Sequence, residues 1–484
     1  MKKGLLFLVL LLIGFFLFLI IKTLSTESNQ INVPPFEDII QPEGAIERFV
    51  EALSYRTISF EDPEDFDSTQ FEQFNAFLLN TYPSVFEKCE HTIISDYSHI
   101  IKWEGTQQEL DPIILMAHID VVPIANLRAW TVHPFEEGVK DGVIYGRGTI
   151  DDKSNLVAIM EAVDALIKEG FQPSRTVYLT FGHDEEILGY NGAAKIASHF
   201  EAKGVKAHFV LDEGLTITEG LVPGMNSDRV ALVGVAEKGF LSLELTVNSV
   251  GGHSSLPERE TSIDILSRAV HRLKSNPPKA TLTPVIKGFL LKLGTEFGFW
   301  QKLAVTNSWL FESLIVKSFT GSAGGNANLR TTVAPTIFEA GIKENIVPTT
   351  ARAVVNFRII PGETQEDVIA YVRNTIDDER ILIAPLSQGS NPSPISSINT
   401  NAYESLEKTI KELFPDVLIA PSLVVGATDS RYFTKVSDNV YRFSPMVLNK
   451  ANLNCFHGLD ERLPVEEYID IINYYRRLIM NSME

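Results

Sequence analysis

A chain of 484 residues with 62 acidic and 42 basic side chains carries a formal charge of −20, the wrong sign for gripping a phosphate backbone, so nucleic acid is excluded as a partner. Its 44% hydrophobic content is that of an ordinary globular protein, and its length exceeds what one simple core holds, so two domains are expected. Two cysteines, Cys89 and Cys455, without CxxC spacing, exclude a disulfide scaffold and a zinc ribbon. Any metal must be held by histidines and carboxylates.

Lys2-Lys3 precede an unbroken apolar run from Gly4 to Ile21, closed by Lys22. These eighteen residues reach the lower limit for a membrane-spanning helix. Neither an A-x-A-like cleavage pattern nor a lipobox cysteine follows, so residues 1–24 are expected as an uncleaved anchor rather than a removed signal. The paired lysines should stay in the cytoplasm, which puts the body outside it, or secretes the body if the segment is cleaved. Residues 25–37, polar and containing Pro34-Pro35, read as a tether.

In the body, apolar spacing predicts helices over 46–53 and 71–79, then short strands and turns over 85–103. Pro112 to Ala117 is a continuous apolar strand ending in His118-Ile119-Asp120. In an extended chain His118 and Asp120 share a face, and a carboxylate beside an imidazole is the arrangement that orients a metal-ligating histidine. Gly146-Arg147-Gly148-Thr149-Ile150-Asp151-Asp152 follows and opens a helix whose apolar residues run from Leu156 to Ile167 and which stops at Gly170. A second strand, 176–181, ends in Gly182-His183-Asp184-Glu185-Glu186, and a third, 207–211, in Asp212-Glu213-Gly214. Alternating strand and helix implies a mostly parallel sheet, and ligands of such sheets bind beyond the strand carboxyl ends. One acid pair there is an ordinary solvated turn; several acids converging with a histidine need a cation, because burying charge unpaired is costly.

The segments 116–123, 146–153 and 182–186 resemble those of the M20 metallopeptidase and aminoacylase family. So do Leu211-Asp212-Glu213-Gly214, Gly251-Gly252-His253-Ser254-Ser255 and Phe456-His457-Gly458. The likeness is strongest to the branch holding carboxypeptidase S and the N-fatty-acyl-amino-acid synthase/hydrolases, and it runs in motif order from about residue 40 to the C-terminus. It implies an α/β fold: a mostly parallel-sheet di-zinc catalytic domain in two parts, 38–236 and 387–484. Between them, 237–386 would be an inserted α+β lid or dimerisation domain, whose predicted elements are a strand over 241–247, helical runs around 261–275, 286–303 and 307–319, and strands over 330–341 and 350–360.

The resemblance also implies two Zn2+ ions, with Co2+ or Mn2+ as substitutes. His118 and Glu213 would hold one, His457 and Glu186 the other, and Asp151 both. Strand alternation lets only one of Asp212 and Glu213 face inward, and the resemblance selects Glu213. Glu185 would be the general base and Asp120 would orient His118. His253 would stabilise an oxyanion, often across a homodimer in such relatives. Arg358 resembles an arginine that clamps a substrate carboxylate, with an ordinary strand ion pair as the equal alternative. Asn328, Asn345 and Arg431 are further pocket candidates.

The implied reaction is hydrolysis, in principle reversible, of the amide joining an acyl group or residue to an amino acid with a free carboxylate. A dipeptidase acting on envelope-derived peptides is the main alternative; a membrane-tethered binding protein with a dead site would have lost Glu185 or a ligand. The apolar stripe from Phe289 to Phe311 either lines an acyl pocket or forms a helical core, the default for such spacing.

Overall fold

The computed structural model describes residues 2–136, 138–225 and 229–483. Among them, an eight-stranded sheet forms the centre of the body, in the order Glu90–Ile94, Ser98–Trp103, Val177–Gly182, Ile113–His118, Phe209–Glu219, Val440–Leu448, Arg229–Glu237, Leu418–Val424. Ile113–His118 is apolar up to its closing histidine because both of its faces are covered. Ile113, Leu115 and Ala117 join a core with the helices Lys153–Lys168 and Val465–Asn481, while Ile114 and Met116 face the helix Ala193–Ala202.

The sheet is mixed, not mostly parallel. Ile113–His118 runs parallel to both neighbours, and Phe209–Glu219 parallel to Val440–Leu448. The strands Ser98–Trp103 and Arg229–Glu237 break the pattern by pairing antiparallel with Val177–Gly182 and with Phe209–Glu219. For the second of these the reason lies at Gly214. The third strand does not end at its acids but continues through Gly214, at φ +132, to Glu219, and the chain then returns beside it. A Cβ at Gly214 would press on the Arg442 side chain, so the residue that lets the strand bend is also the one that fits there.

A second, four-stranded antiparallel sheet comprises Thr332–Ala340, Thr350–Ile359, Gly239–Asn248 and Ile381–Pro385. Its strict alternation buries Leu241, Leu243, Leu245 and Val247 against the helices Ser262–Ser275 and Gln365–Ile376. Each helix starts on a capping box, Thr261 with Asp264 and Thr364 with Asp367. The helix Pro284–Leu293 lies elsewhere. Although its sequence falls between strands of the small sheet, Ile286, Phe289 and Leu290 pack with Val230 and Ala420 of the large one.

The helix Lys2–Ser25 is long and apolar enough to cross a membrane, and nearly all of it is exposed. The segment after it does not hang free. Gln30 donates from Nε2 to the carbonyls of Lys292 and Ile419, both at 3.0 Å, and its Oε1 accepts from the Ile419 amide at 2.8 Å. Phe36 N bonds Glu412 O at 2.8 Å, Asp38 meets Arg476 at 2.9 Å, and Asn473 takes both backbone groups of Ile40.

Candidate active site

The carboxyl ends of Ile113–His118 and Val177–Gly182, the start of the helix Lys153–Lys168 and the middle of Phe209–Glu219 bring the predicted acids and histidines together. Asp151 is the centre. Its Oδ1 lies 2.8 Å from His118 Nε2 and its Oδ2 lies 2.7 Å from His457 Nε2. Glu213 Oε1 stands 3.9 Å from His118 Nε2, and Glu186 Oε1 stands 3.4 Å from His457 Nε2. His118, Asp151 and Glu213 thus form one group able to hold a metal, and Asp151, Glu186 and His457 a second, with Asp151 common to both. Asp212 turns the other way, accepting from the Ser430 amide at 2.8 Å.

Asp120 does two jobs. Its carbonyl takes His118 Nδ1 at 2.9 Å, and its carboxylate accepts the amides of Glu185 and Glu186, both at 3.1 Å, and the Ser59 hydroxyl at 2.5 Å. One residue therefore fixes the ring of the first strand end and the turn of the second. Asp184 closes that turn by accepting from the amides of Asn191 and Gly192, each at 2.7 Å.

The electrostatics are those of a cation site. Burial pushes the carboxyls of Glu185 and Glu213 well above their usual range, with Asp429 and Glu186 adding to the first and Asp151 and Asp152 to the second. Glu186 is raised to about 7 by burial and Asp151, and its Oε1 is buried with no hydrogen-bond partner. Burial also opposes charge on Asp151, but the bonds from His118 and His457 outweigh it and hold that carboxyl low. His457 is raised to about 10 by its hydrogen bond to Asp151 and the nearby Glu186 carboxylate. A divalent cation among these groups would favour the ionised form of the acids. Two histidines set among carboxylates, with one carboxylate oxygen orphaned, are a donor set that fits zinc.

Sequence reasoning missed Glu461. Fully buried, it accepts from Gly148 N at 3.1 Å, Ile150 N at 2.7 Å and Asp151 N at 3.1 Å through one oxygen, and from Arg147 Nη1 through the other. Arg147 Nη2 in turn bonds the carbonyls of His457 at 3.3 Å and Gly458 at 3.1 Å. This ion pair fastens the loop of Asp151 to the loop of His457, whose own backbone sits in the left-handed region at φ 54. Asp429 was also missed. It is buried against Gly182 and Gly189 with neither oxygen hydrogen-bonded among the described residues, and burial pushes its carboxyl well up.

The remaining candidates lie outside the Asp151 cluster, Arg431 near enough to Asp429 and Glu185 to feel their charge. Arg431 donates to Leu188 O at 2.6 Å and stacks over Tyr432 at 4.8 Å, at the wall of a 230 Å³ cleft that Tyr190, Phe240 and Ser390 also line. Arg358 stacks over the same Phe240 at 5.9 Å, with no ion pair among the described residues. Asn328 donates to Gly324 O at 2.9 Å, leaving its Oδ1 buried and unpartnered. His253 is exposed, its Nδ1 2.8 Å from Ser255 Oγ, and Asn345 accepts from the neighbouring Ser254 amide at 3.2 Å. Among the described residues, no hydrogen bond or ion pair joins His253 to the Asp151 cluster.

Residues 114–481 match the model of peptidase family M20/M25/M40. The chain belongs to that family. It is 39% identical to a probable carboxypeptidase S-like protein of Dictyostelium discoideum, covering 98% of this chain and 93% of that one. It is 41% identical to an N-fatty-acyl-amino acid synthase/hydrolase of Xenopus tropicalis, over 90% and 85%. The fold is similar to that of an M20 family metallo-carboxypeptidase from Sulfolobus solfataricus, with a TM-score of 0.65 at 16% identity over 92% of this chain and 100% of that one. Human carnosine dipeptidase 1 is similar at TM-score 0.63 and 12% identity, over 91% and 96%. As an M20 peptidase the chain is an enzyme of a peptide- and amide-cleaving family, and the mixed sheet belongs to the fold it shares with these structures.

Proposed function

We propose that this enzyme hydrolyses, and in reverse forms, the amide between an acyl group or residue and an amino acid with a free carboxylate, using two zinc ions. The observation that carries the reading is Asp151, each of whose oxygens meets a different histidine, each histidine with a further glutamate beside it. His118 and Glu213 would hold one ion, His457 and Glu186 the other, and Asp151 both. Bound there, the ions would polarise the scissile carbonyl and make water more acidic.

Glu185 does the proton work. Its amide is pinned by Asp120, while burial among Asp429, Glu186 and Asp151 leaves its carboxyl basic. It takes the proton of the attacking water and returns it to the leaving amine. Arg431, which lines the same cleft as Phe240, and Arg358, stacked over the Phe240 ring, would offer guanidinium forks to the substrate carboxylate, and Arg358 has no protein acid among the described residues to satisfy first. His253 would act only from a partner subunit, and the exposed outer strand Thr332–Ala340 offers an edge for pairing two copies. Lys2–Ser25 would anchor the enzyme with Lys2-Lys3 in the cytoplasm and the body outside.

The test is turnover of N-fatty-acyl amino acids and of dipeptides by the full chain in detergent, with and without added zinc. Glu185→Gln should retain its metal and lose about 10²–10⁴ in kcat. A fully active Glu185→Gln enzyme, or full activity after the metal is stripped, would sink the mechanism.

A further inference from the structure

The stripe from Phe289 to Phe311 divides in the structure. Phe289 and Leu290 are core, but Trp300 is 76% exposed and Trp309 61%, and Phe299, Leu310 and Leu314 stand open beside them. These residues sit on the helices Phe299–Thr306 and Ser308–Phe319, the first of which lies against the N-terminal apolar helix and packs on the second. The contact is specific. Leu19 and Thr23 are the buried residues of the apolar helix, Thr23 Oγ1 bonds Thr306 Oγ1 at 3.0 Å, and Asn307 Nδ2 donates to Thr23 Oγ1 at 3.2 Å. Further toward the N-terminus, Phe15 meets Trp309 edge to face at 6.2 Å.

Lys22 closes the apolar run, and Phe15 lies seven residues inside it. At 1.5 Å per residue the Trp309 contact is about 10 Å below the level of Lys22. That is the depth to which interfacial helices bury their apolar face, and tryptophan is enriched at that boundary. Lys302 points the opposite way, its Nζ bonded to Thr26 O at 3.0 Å, on the watery side of Lys22. Across the junction at Asn307 the two helices carry no charge from Leu303 to Phe311; Glu312 and Lys317 come after it.

We propose that the turn joining Phe299–Thr306 to Ser308–Phe319 enters the outer leaflet beside the anchor, with Trp309 in lipid and Trp300 at the interface. The occupant of the apolar face is the bilayer, because the face is continuous with a helix of spanning length and lies at a depth only lipid would fill. The inference rests on the anchor reading and adds a second contact with the membrane, which the strapped segment 26–40 holds in fixed orientation to the body.

The test uses the full chain in vesicles of phosphatidylcholine with brominated acyl chains. Of its four tryptophans, Trp103 and Trp130 are buried in the body, and the apolar helix contains none. Bromolipid should therefore quench the emission of Trp300 and Trp309 alone, and Trp300→Phe with Trp309→Phe should abolish the quenching while turnover persists as the check of folding. Flotation separates the two readings. A chain that stays with the vesicles but is not quenched overturns the lipid contact and leaves the anchor standing; a chain that fails to float overturns both. Unquenched tryptophans with twice the monomer mass in nanodiscs would assign the face to a second copy and equally overturn the proposal.

Discussion

Replacing Glu461 by Gln tests how the loops of Asp151 and His457 are held. Gln can keep its oxygen on the amides of Gly148, Ile150 and Asp151, since all three bond the same carboxylate oxygen. Its NH2 then faces Arg147 Nη1 donor to donor. The guanidinium, 2% exposed, keeps only the carbonyls of His457 and Gly458. Breaking a buried ion pair by removing one partner costs about 3–5 kcal/mol. With two carbonyls still engaged the low end applies, so Glu461→Gln should lose about 3 kcal/mol, a large share of a stability of roughly 5–15 kcal/mol. The assay is urea unfolding in detergent, read by tryptophan emission, because Trp130 stacks on Arg147 at 5.4 Å. Bound metal after dialysis should fall alongside, since the His457 loop loses its tie to Asp151. Adding Arg147→Met should recover much of the loss by removing the stranded charge. A Glu461→Gln protein with the parental urea midpoint and metal content would refute the reasoning.

Two further outcomes follow from particular side chains. His99 is buried, bonded to Asn75 Oδ1 at 2.7 Å and stacked on His91, and burial with the neighbouring His91 and His183 lowers it to about 3. A histidine whose folded pKa is depressed contributes stability that is intact above about pH 6.5 and lost as pH falls toward about 3. Going to pH 5 should therefore cost about 2 kcal/mol, read as a falling urea midpoint, and His99→Gln should flatten that slope; an unchanged midpoint from about pH 7 to about 5 contradicts it. Gly189 has φ +63, and a Cβ there would run into Asp429 Oδ1. Gly189→Ala should cost about 1–2 kcal/mol from the backbone alone and lower kcat by displacing the Glu185–Glu186 turn; normal turnover would show that Asp429 yields freely.

Much of the candidate site is legible in the chain, because strand ends and helix starts are local. The apolar run into His118, the acids at 185–186 and Asp151 at a helix start each show in a dozen residues. Family membership was legible in the motifs as well. What escaped was non-local. Glu461 acts on backbone amides some 310 residues away, and nothing in Asp460-Glu461-Arg462 marks it. Asp429 was passed over for its neighbour Arg431 because burial, not residue type, makes it unusual. The mixed sheet was hidden because Gly214 looks like a terminator and is a bend. Periodicity predicted helices over 286–303 and 307–319 but cannot say which sheet a helix covers.

Gln30 has a practical consequence for anyone trimming the chain. Leu418–Val424 is the outermost strand of the large sheet, and at Ile419 the primary amide of Gln30 stands in for the missing neighbour. Cutting between Ser25 and Gln30 removes the apolar helix and spares this cover. Cutting a few residues later, at the polar stretch that looks dispensable, bares an amide and a carbonyl on an apolar edge, the kind of edge along which separate molecules adhere.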